Sequence, residues 1–533
     1  MVEILLILAV TILVAEYVSE RFSLNGPLVL MLSGAAISFI PVMGEARVEP
    51  EVILGVFLPL LLYWEALNIS LCGIRRQLRG VLLNGTVAVI AVTATVGGAA
   101  TWLGMTLAVG LLIGAAIGPT DATVVAAFAK GISPRGLIVL KAESLINDGT
   151  ALVLFALALM YATNPDEVTA GTALWDFALS FGGGIAAGLV VGWLVSKVAR
   201  FVDDPMQGNI FRIIVPLVTY VLAEEIHGSG IVAVVVAGLY IGQAGHRFIT
   251  VGSRVLGRPF WAVLTHILNS LLFVLAGLAV PGIVRSLESD TLWHATAVAL
   301  ALYAVMMLTR FLFGEVIIRI IRVLDRRPAQ KLRRTNLPER MVITVAGFRG
   351  AVSLAVALSV PESVPGRDVV VYVVALIVFA SLLIQGLLLP WCIKWVQARP
   401  NALSDAEAAR DVRMAQEAGL ESNTALIEQL PHLAQKVGAS KEVEEDVYRE
   451  LHLHRKRMLV EQIEEGENLA EEERRVVEYH RAGMELRLAI NAQARENLLR
   501  MHGEGKIDEE VLNILTDRLD IEQLRIEGPM RLE

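Results

Sequence analysis

Long apolar runs constrain the fold of this 533-residue chain more than any other feature of its sequence. A helix needs about 20 apolar residues to cross the roughly 30 Å hydrocarbon core of a bilayer. The run from Met1 to Val18 begins with Glu3 instead of a basic segment, so it is interpreted as an uncleaved first helix. Further runs lie near 27–43, 52–68, 81–103, 106–129, 137–161, 173–196, 209–226, 229–245, 259–280, 292–321, 341–360 and 368–395. The pattern predicts an all-α polytopic membrane protein with about thirteen transmembrane helices.

Composition indicates the same environment. Hydrophobic residues make up 55% of the chain, charged residues 19%, and the mean hydropathy is +0.59, which lies outside the range of ordinary soluble domains. The formal net charge is −8, but much of the acid lies in the last quarter of the chain. No nucleic-acid partner is therefore indicated, and the predicted partner is the lipid bilayer. Cys72 and Cys392 are predicted at cytoplasmic ends of spans, where reducing conditions argue against a disulfide.

Basic residues predict the orientation of the chain. Lys and Arg gather on cytoplasmic loops, and here they gather on alternate loops. One side holds Arg21, Arg75, Arg76, Arg79, Lys130, Arg135, Lys197, Arg200, Arg247, Arg254, Arg258, Arg322, Arg326, Arg327, Lys331, Arg333, Arg334 and Arg340. The other side holds Arg47, Arg285 and Arg367. This asymmetry predicts an outside N-terminus and a cytoplasmic C-terminus in the plasma (inner) membrane.

Two domains are predicted from the change in composition near Arg399. Residues 1–398 carry the apolar runs and form the transmembrane domain. Residues 399–533 are rich in charge, and apolar residues recur at helical spacing from Met484 to Leu499 and from Val511 to Leu519. This second part is predicted to be a cytosolic helical tail with a regulatory role, and its ligand is not indicated.

The first chemical motif is Gly118-Pro119-Thr120-Asp121, in the middle of a span. Proline removes a backbone hydrogen bond and breaks or kinks a helix, and a broken membrane helix is tolerated where it lines a cavity or is buried in protein. Thr120 and Asp121 can cap the exposed N–H groups at the break. A simple proline kink is the alternative, but it does not account for an aspartate in a span.

The second motif is Glu143-Ser144-Leu145-Ile146-Asn147-Asp148-Gly149 in the next span. Glu143 and Asn147 are four residues apart, as are Ser144 and Asp148, so all four side chains lie on one side of a helix. A charge near the bilayer centre costs at least about 2.5–3.5 kcal/mol and usually marks an ion or proton path. Carboxylate, hydroxyl and amide oxygens suit a hard monovalent cation such as Na⁺.

Three further charged residues inside predicted spans bear on the site. Arg349, in Gly347-Phe348-Arg349-Gly350, needs a buried anion, and Glu143 is the preferred partner, in a structural ion pair. Arg310 is a rival for Glu143 that the sequence leaves open. Glu65 can line the ion path or hold a junction between helices.

These motifs together resemble the monovalent cation/proton antiporters of the sodium/hydrogen exchanger type, in the bacterial NhaP-like branch. The resemblance covers most of residues 1–395. It rests on Leu58-Pro59-Leu60-Leu61-Leu62-Tyr63-Trp64-Glu65, Gly118-Pro119-Thr120-Asp121, Glu143-Ser144-Leu145-Ile146-Asn147-Asp148-Gly149, Asn269-Ser270-Leu271-Leu272-Phe273 and Gly347-Phe348-Arg349-Gly350-Ala351-Val352-Ser353-Leu354.

The resemblance implies a homodimer built from inverted repeats, with two crossed broken helices in a core domain that moves against a dimerisation domain. It implies that Asp148 binds either Na⁺ or a proton, with Ser144, Thr120 and Asp121 completing the site. Asn147 would hold the site in shape, together with Glu143 and Arg349. The implied activity is Na⁺/H⁺ exchange by alternating access, serving pH and cation homeostasis, with no cofactor beyond the transported ions.

Other functions fit the sequence less well. K⁺ or Li⁺ could replace Na⁺, because the same oxygen ligands serve all three. A channel would need a selectivity filter such as Thr-Val-Gly-Tyr-Gly, and an enzyme would need a string such as His-Glu-x-x-His; neither string occurs. An ATP-driven pump would need Gly-x-x-x-x-Gly-Lys, which is also absent. The sequence therefore favours a carrier driven by an ion gradient. Because the Asn147 amide cannot carry a proton and Glu143 is predicted to be locked by Arg349, one cation is expected to exchange for one proton.

Overall fold

A computed structural model of the chain gives its fold. It describes residues 2–22, 24–45, 49–69, 83–121, 134–164, 169–202, 204–244, 251–286, 288–324, 337–397 and 402–464, and parts of 483–523. Over these ranges all regular structure is helical. The predicted helical class is confirmed.

The chain divides into two compact units, residues 1–401 and 402–533. The predicted domain boundary at 398/399 lies close to this division. In the first unit the helices are α1 (Val2–Phe22), α2 (Gly26–Ile37), α3 (Leu58–Leu67), α4 (Ala88–Trp102), α5 (Leu107–Ala116), α6 (Pro134–Thr163), α7 (Ala170–Val198), α8 (Pro205–Glu225), α9 (Gly230–Ala244), α10 (Val251–Ser286), α11 (Ser289–Leu324), α12 (Leu337–Val345), α13 (Ala351–Leu358), α14 (Arg367–Ala380) and α15 (Gly386–Gln397). Single π turns precede α3 and α4 and join α14 to α15; they are Ile53–Phe57, Leu83–Val87 and Ser381–Gln385.

The lengths and apolar compositions of individual helices identify candidate membrane spans. Among the described residues, 8 helices are long and apolar enough to cross a bilayer, and shorter apolar helices occupy Gly26–Ile37, Ile53–Leu67, Leu107–Ala116 and Gly230–Ala244. Each predicted apolar segment overlaps at least one described helix. The chain is therefore a multi-pass membrane protein. Most of the basic loops used to predict its orientation lie outside the described residues, as does Cys72.

Glycines allow helices of the first unit to approach closely. A methyl group placed on Gly34 of α2 would lie 2.1 Å from the carbonyl oxygen of Val274, and one on Gly277 of α10 would lie 2.0 Å from that of Met31. Both distances are far inside van der Waals contact, so α2 and α10 pack backbone to backbone. Lipid tails provide no hydrophobic drive between helices, and small residues at such contacts supply the packing instead.

Two helices of the first unit are interrupted. Helix α5 ends at Ala116, and the chain is not helical from there to Asp121, the last described residue of that stretch. Helix α12 ends at Val345, and α13 begins at Ala351. The backbone N–H of Asp121 donates a hydrogen bond of 2.9 Å to the carbonyl oxygen of Phe348. The two interruptions therefore meet, as the resemblance to the exchanger family implies; residues 122–133 lie outside the described residues.

The second unit begins with two long helices, α16 (Ala402–Val437) and α17 (Lys441–Glu464). Gly438 ends α16 with a positive φ of 70°, and the N–H of Ala439 donates to the carbonyl of Ala434. A left-handed glycine with this bonding pattern is a common helix C-terminus. The tail is helical where it is described, and its regulatory role stays a prediction.

Candidate ion-binding site

Asp148 lies in α6, beside the non-helical stretch that follows α5. Its side chain is only 1% exposed. It accepts a hydrogen bond from the backbone N–H of Thr120, while its Oδ1 has no hydrogen-bond partner within the described part of the protein. Buried polar atoms are nearly always bonded, and an exception calls for a functional explanation. This oxygen is suited to receive a proton or a cation.

Two further α6 side chains hold the interrupted stretch against Asp148. The Ser144 hydroxyl donates to the carbonyl oxygen of Thr120, and the Asn147 amide donates to the Thr120 hydroxyl at 2.8 Å. Ser144 lies three residues before Asn147 and four before Asp148, about one helical turn from each, so the three side chains lie on one side of α6. The predicted grouping of Ser144, Asn147, Asp148 and Thr120 is present in the structure.

Asp121 and Glu65 complete a set of three carboxylates. The charges of both residues act on Asp148, and Glu65 belongs to α3. Asp121 lies against Gly350, where an added methyl group would be 1.9 Å from its Oδ2. Over the described residues no group of three His, Cys, Asp or Glu side chains is placed to chelate a metal ion. The carboxylates therefore share an electrostatic environment without forming a multidentate acidic cluster.

Arg349 lies fully inside the protein, with 1% of its surface exposed. Its Nη1 donates to the carbonyl oxygen of Pro119 at 3.0 Å, and its Nε donates to the Met306 sulfur at 3.2 Å. The charge of Arg349 acts favourably on Asp148. Arg349, from the non-helical stretch between α12 and α13, thus bonds to a carbonyl group of the non-helical stretch after α5. Its positive charge also offsets the negative charge of Asp148.

Glu143 forms its ion pair with Arg310 of α11. Arg310 Nη2 lies 3.3 Å from Glu143 Oε1, and the two side chains are only 14% and 9% exposed. This differs from the pairing with Arg349 that sequence reasoning preferred, and it selects the rival partner. The close approach depends on Gly347, because a methyl group there would lie 2.4 Å from the guanidinium carbon of Arg310.

The donor set fits a hard monovalent cation. Asp148, Ser144 and Thr120 carry oxygen atoms and are linked by hydrogen bonds through Thr120, and hard cations select oxygen. No described residue contributes a thiolate or imidazole there. The predicted Na⁺ ligands Asp148, Ser144 and Thr120 are therefore adjacent, and whether they bind Na⁺ stays a prediction.

Sequence reasoning missed the residues of the π turn Ser381–Gln385 that support Arg349. The Ser381 hydroxyl accepts a hydrogen bond of 3.0 Å from the backbone N–H of Arg349. Ser381 in turn donates to Gln385 Oε1 at 2.8 Å. The sequence did carry a signal, since two polar residues four apart interrupt the apolar run 368–395 on one helical face.

Interrupted helices that meet beside a buried carboxylate define a class of protein, the multi-span secondary ion transporter. Half-helices and freed carbonyls near the middle of a membrane protein are how such carriers bind their ions.

Comparisons with known proteins identify the family within this class. The family model of the sodium/hydrogen exchanger transmembrane region matches residues 6–395. An uncharacterized Na⁺/H⁺ exchanger of Mycobacterium tuberculosis is 31% identical over 538 residues, which cover 99% of this chain and 97% of that protein. The Na⁺/H⁺ antiporter ApNhaP of Aphanothece halophytica is 31% identical over 68% of this chain and 67% of its own. The chain belongs to the Na⁺/H⁺ exchanger family.

A solved structure shows the same fold. The sodium proton antiporter MjNhaP1 from Methanocaldococcus jannaschii superposes with a TM-score of 0.59 over 74% of this chain and 98% of its own. At 18% sequence identity the likeness concerns the fold alone. Together with the family model and the relative ApNhaP, this fold confirms the predicted resemblance to the NhaP-like branch.

Proposed function

We propose that this protein exchanges Na⁺ for H⁺ across the plasma membrane, and that Asp148 is the shared site for both ions. The supporting observation is the free Oδ1 of a carboxylate that is 1% exposed, next to the hydroxyl groups of Ser144 and Thr120. A protonated carboxyl group no longer attracts a cation, and a bound cation repels a proton. One site that accepts either ion, but not both, couples their movements.

Alternating access would present this site to each side of the membrane in turn. The two meeting interruptions support this, because they place non-helical backbone beside the carboxylate of Asp148, on which alternating access would act. In the same proposal the protein is a homodimer, its N-terminus is outside, and its C-terminus is cytoplasmic. Glu65 lines the path to Asp148, and Asp121 acts on the site through its charge.

The test uses purified protein in proteoliposomes with an imposed pH difference. Adding Na⁺ should collapse the pH difference, and separate additions of K⁺ and Li⁺ identify the cations that are carried. Asp148→Asn should abolish the response, because an amide cannot exchange a proton. Asp204→Asn is the matched control: Asp204 is exposed and caps α8 by accepting from the N–H of Gln207, a role that asparagine also fills.

A normal sodium-driven proton flux from Asp148→Asn would contradict the assignment of the site. A response to K⁺ but not to Na⁺ in the unaltered protein would assign it instead to K⁺/H⁺ exchange on the same fold. Retained folding of both variants is checked by gel filtration and thermal unfolding in detergent.

A further inference from the structure

The π turn Ser381–Gln385 between α14 and α15 carries polar side chains at both ends, inside an apolar helix pair. Ser381 and Gln385 are both 0% exposed. Buried polar side chains are costly unless they are bonded, and π turns within helices often occur at functional sites. Both side chains form hydrogen bonds, and these hydrogen bonds connect the π turn to residues around the candidate ion site.

The first connection runs from Ser381 to the second interruption. The Ser381 hydroxyl accepts from the backbone N–H of Arg349 at 3.0 Å and donates to Gln385 Oε1 at 2.8 Å. This fixes the backbone of the residue whose side chain holds the carbonyl oxygen of Pro119. The position of Pro119 in turn sets that of Thr120, which contributes to the candidate cation site.

The second connection runs from Gln385 to α11. Its Nε2 donates to the Met307 sulfur at 2.9 Å, and its side chain is also hydrogen-bonded to Tyr303. The adjacent Met306 accepts from Arg349 Nε. Gln385 and Arg349 are therefore held by neighbouring residues of one helix, and the network closes on itself.

A third contact stabilises the π turn itself. The Asn25 amide Nδ2 donates to the carbonyl oxygen of Leu382 at 3.2 Å, while Asn25 Oδ1 caps the first turn of α2. A π turn disturbs the regular pairing of helix carbonyls, and Asn25 supplies a donor to one of them. The π turn is thus bonded to Asn25, at the start of α2, and to Met307 of α11.

We infer that Ser381 and Gln385 are positioning residues of the exchanger, which set the affinity for the cation by fixing Arg349 and, through it, the Pro119–Thr120 backbone. This rests on the proposed cation exchange. Neither residue touches the candidate ligands directly. Their effect should therefore appear in the cation concentration that half-saturates transport, and less in the maximal rate.

The experiment measures sodium-dependent proton flux against Na⁺ concentration for Ser381→Ala and Gln385→Met. Methionine keeps the length of glutamine and removes its polar groups. Supporting residues of metal sites typically change ion affinity about 10–100-fold when replaced, and for this more distant pair we expect a rise of about three- to tenfold in the half-saturating concentration. The maximal rate should stay within about twofold. Because both residues act through one network, the double variant should show no more than the larger single effect.

Ser359→Ala is the matched control. Ser359 is 1% exposed, and its hydroxyl bonds only within its own helix end, to the carbonyl of Val356. Ser381→Cys keeps a weak hydrogen-bond donor and acceptor of similar size, so its cation affinity should lie between those of Ser381→Ala and the unaltered protein. If Ser381→Ala does not fold, Ser381→Cys takes its place in the measurement.

Unchanged half-saturation in both single variants would overturn the inference, as would an equal change in Ser359→Ala or shifts that simply add in the double variant. These outcomes all require unaltered protein that transports. Failure of the unaltered protein to transport any of Na⁺, K⁺ or Li⁺ would instead reject the proposed function, so the two failures are distinguishable.

Discussion

The two arginines near the ion site have different partners, and this difference can be tested residue by residue. Arg310 pairs with Glu143 at 3.3 Å, whereas Arg349 holds the carbonyl oxygen of Pro119. Removing one member of a buried ion pair leaves an uncompensated charge, at a cost of about 3–5 kcal/mol. Glu143→Gln and Arg310→Met should each lower the unfolding temperature sharply, and the double variant should recover much of that loss.

A second double-mutant cycle, which combines Glu143→Gln with Arg349→Met, is the control for the first cycle with Arg310→Met. In this second cycle the stability losses of the two single variants should be closer to additive. Strong coupling in this second cycle, with additivity in the first, would restore the pairing predicted from the sequence. Thermal unfolding in detergent measures both cycles.

At the scale of elements, the meeting of the two interruptions depends on a glycine. A methyl group on Gly350 would lie 1.9 Å from Asp121 Oδ2 and 2.6 Å from its Cβ. Because Cβ belongs to the stiff part of the side chain, Asp121 and the backbone that bonds to Phe348 must shift. Gly350→Ala should therefore reduce transport strongly, measured as sodium-dependent proton flux.

The same substitution in an open place controls for the loss of a glycine. Gly98 lies in α4, and an added methyl group there meets nothing within 4 Å. Alanine is favoured over glycine inside a helix, so Gly98→Ala should keep its transport rate. Full activity of Gly350→Ala would show that the interruptions tolerate separation.

The interruptions also mark the limit of what the sequence predicts. Apolar runs and the Gly-Pro pair act locally, so the spans and the break at Pro119 could be placed from the sequence. The pairing of Glu143 with Arg310 could not be predicted from the sequence. Either of two arginines far along the chain could neutralise Glu143, and the packing around Gly347 in the folded protein brings Arg310 to it. Gln385 was missed for a similar reason, since its partners on α11 are the side chains of Met307 and Tyr303, far from it in sequence.

At the scale of the whole molecule, the division of labour between the two units can be tested by truncation. The candidate site residues all lie in residues 1–401, the first compact unit. A chain ending at Gln397 should therefore still exchange ions in proteoliposomes, with a changed dependence of rate on pH if the tail regulates. Complete loss of flux from a correctly inserted, dimeric truncation would show that the tail is required for transport.

The net charge moved in one cycle is the second property of the whole molecule. Asn147 is an amide and cannot carry a proton. Glu143 is paired with Arg310 at 3.3 Å. If Asp148 is the one group of the site whose charge changes during the cycle, one cation should exchange for one proton without net charge transfer.

An electroneutral cycle feels no force from the membrane potential, whereas one net charge per cycle would be driven by about 2.3 kcal/mol per 100 mV. At a fixed sodium gradient, proteoliposomes should therefore reach the same final pH difference whether the potential is clamped at zero or strongly negative. A final pH difference that follows the clamped potential would refute the one-for-one exchange. Glu65, whose charge acts on Asp148, would then be the first carboxylate to examine, because Glu65→Gln should remove the dependence on potential if it carries the second charge.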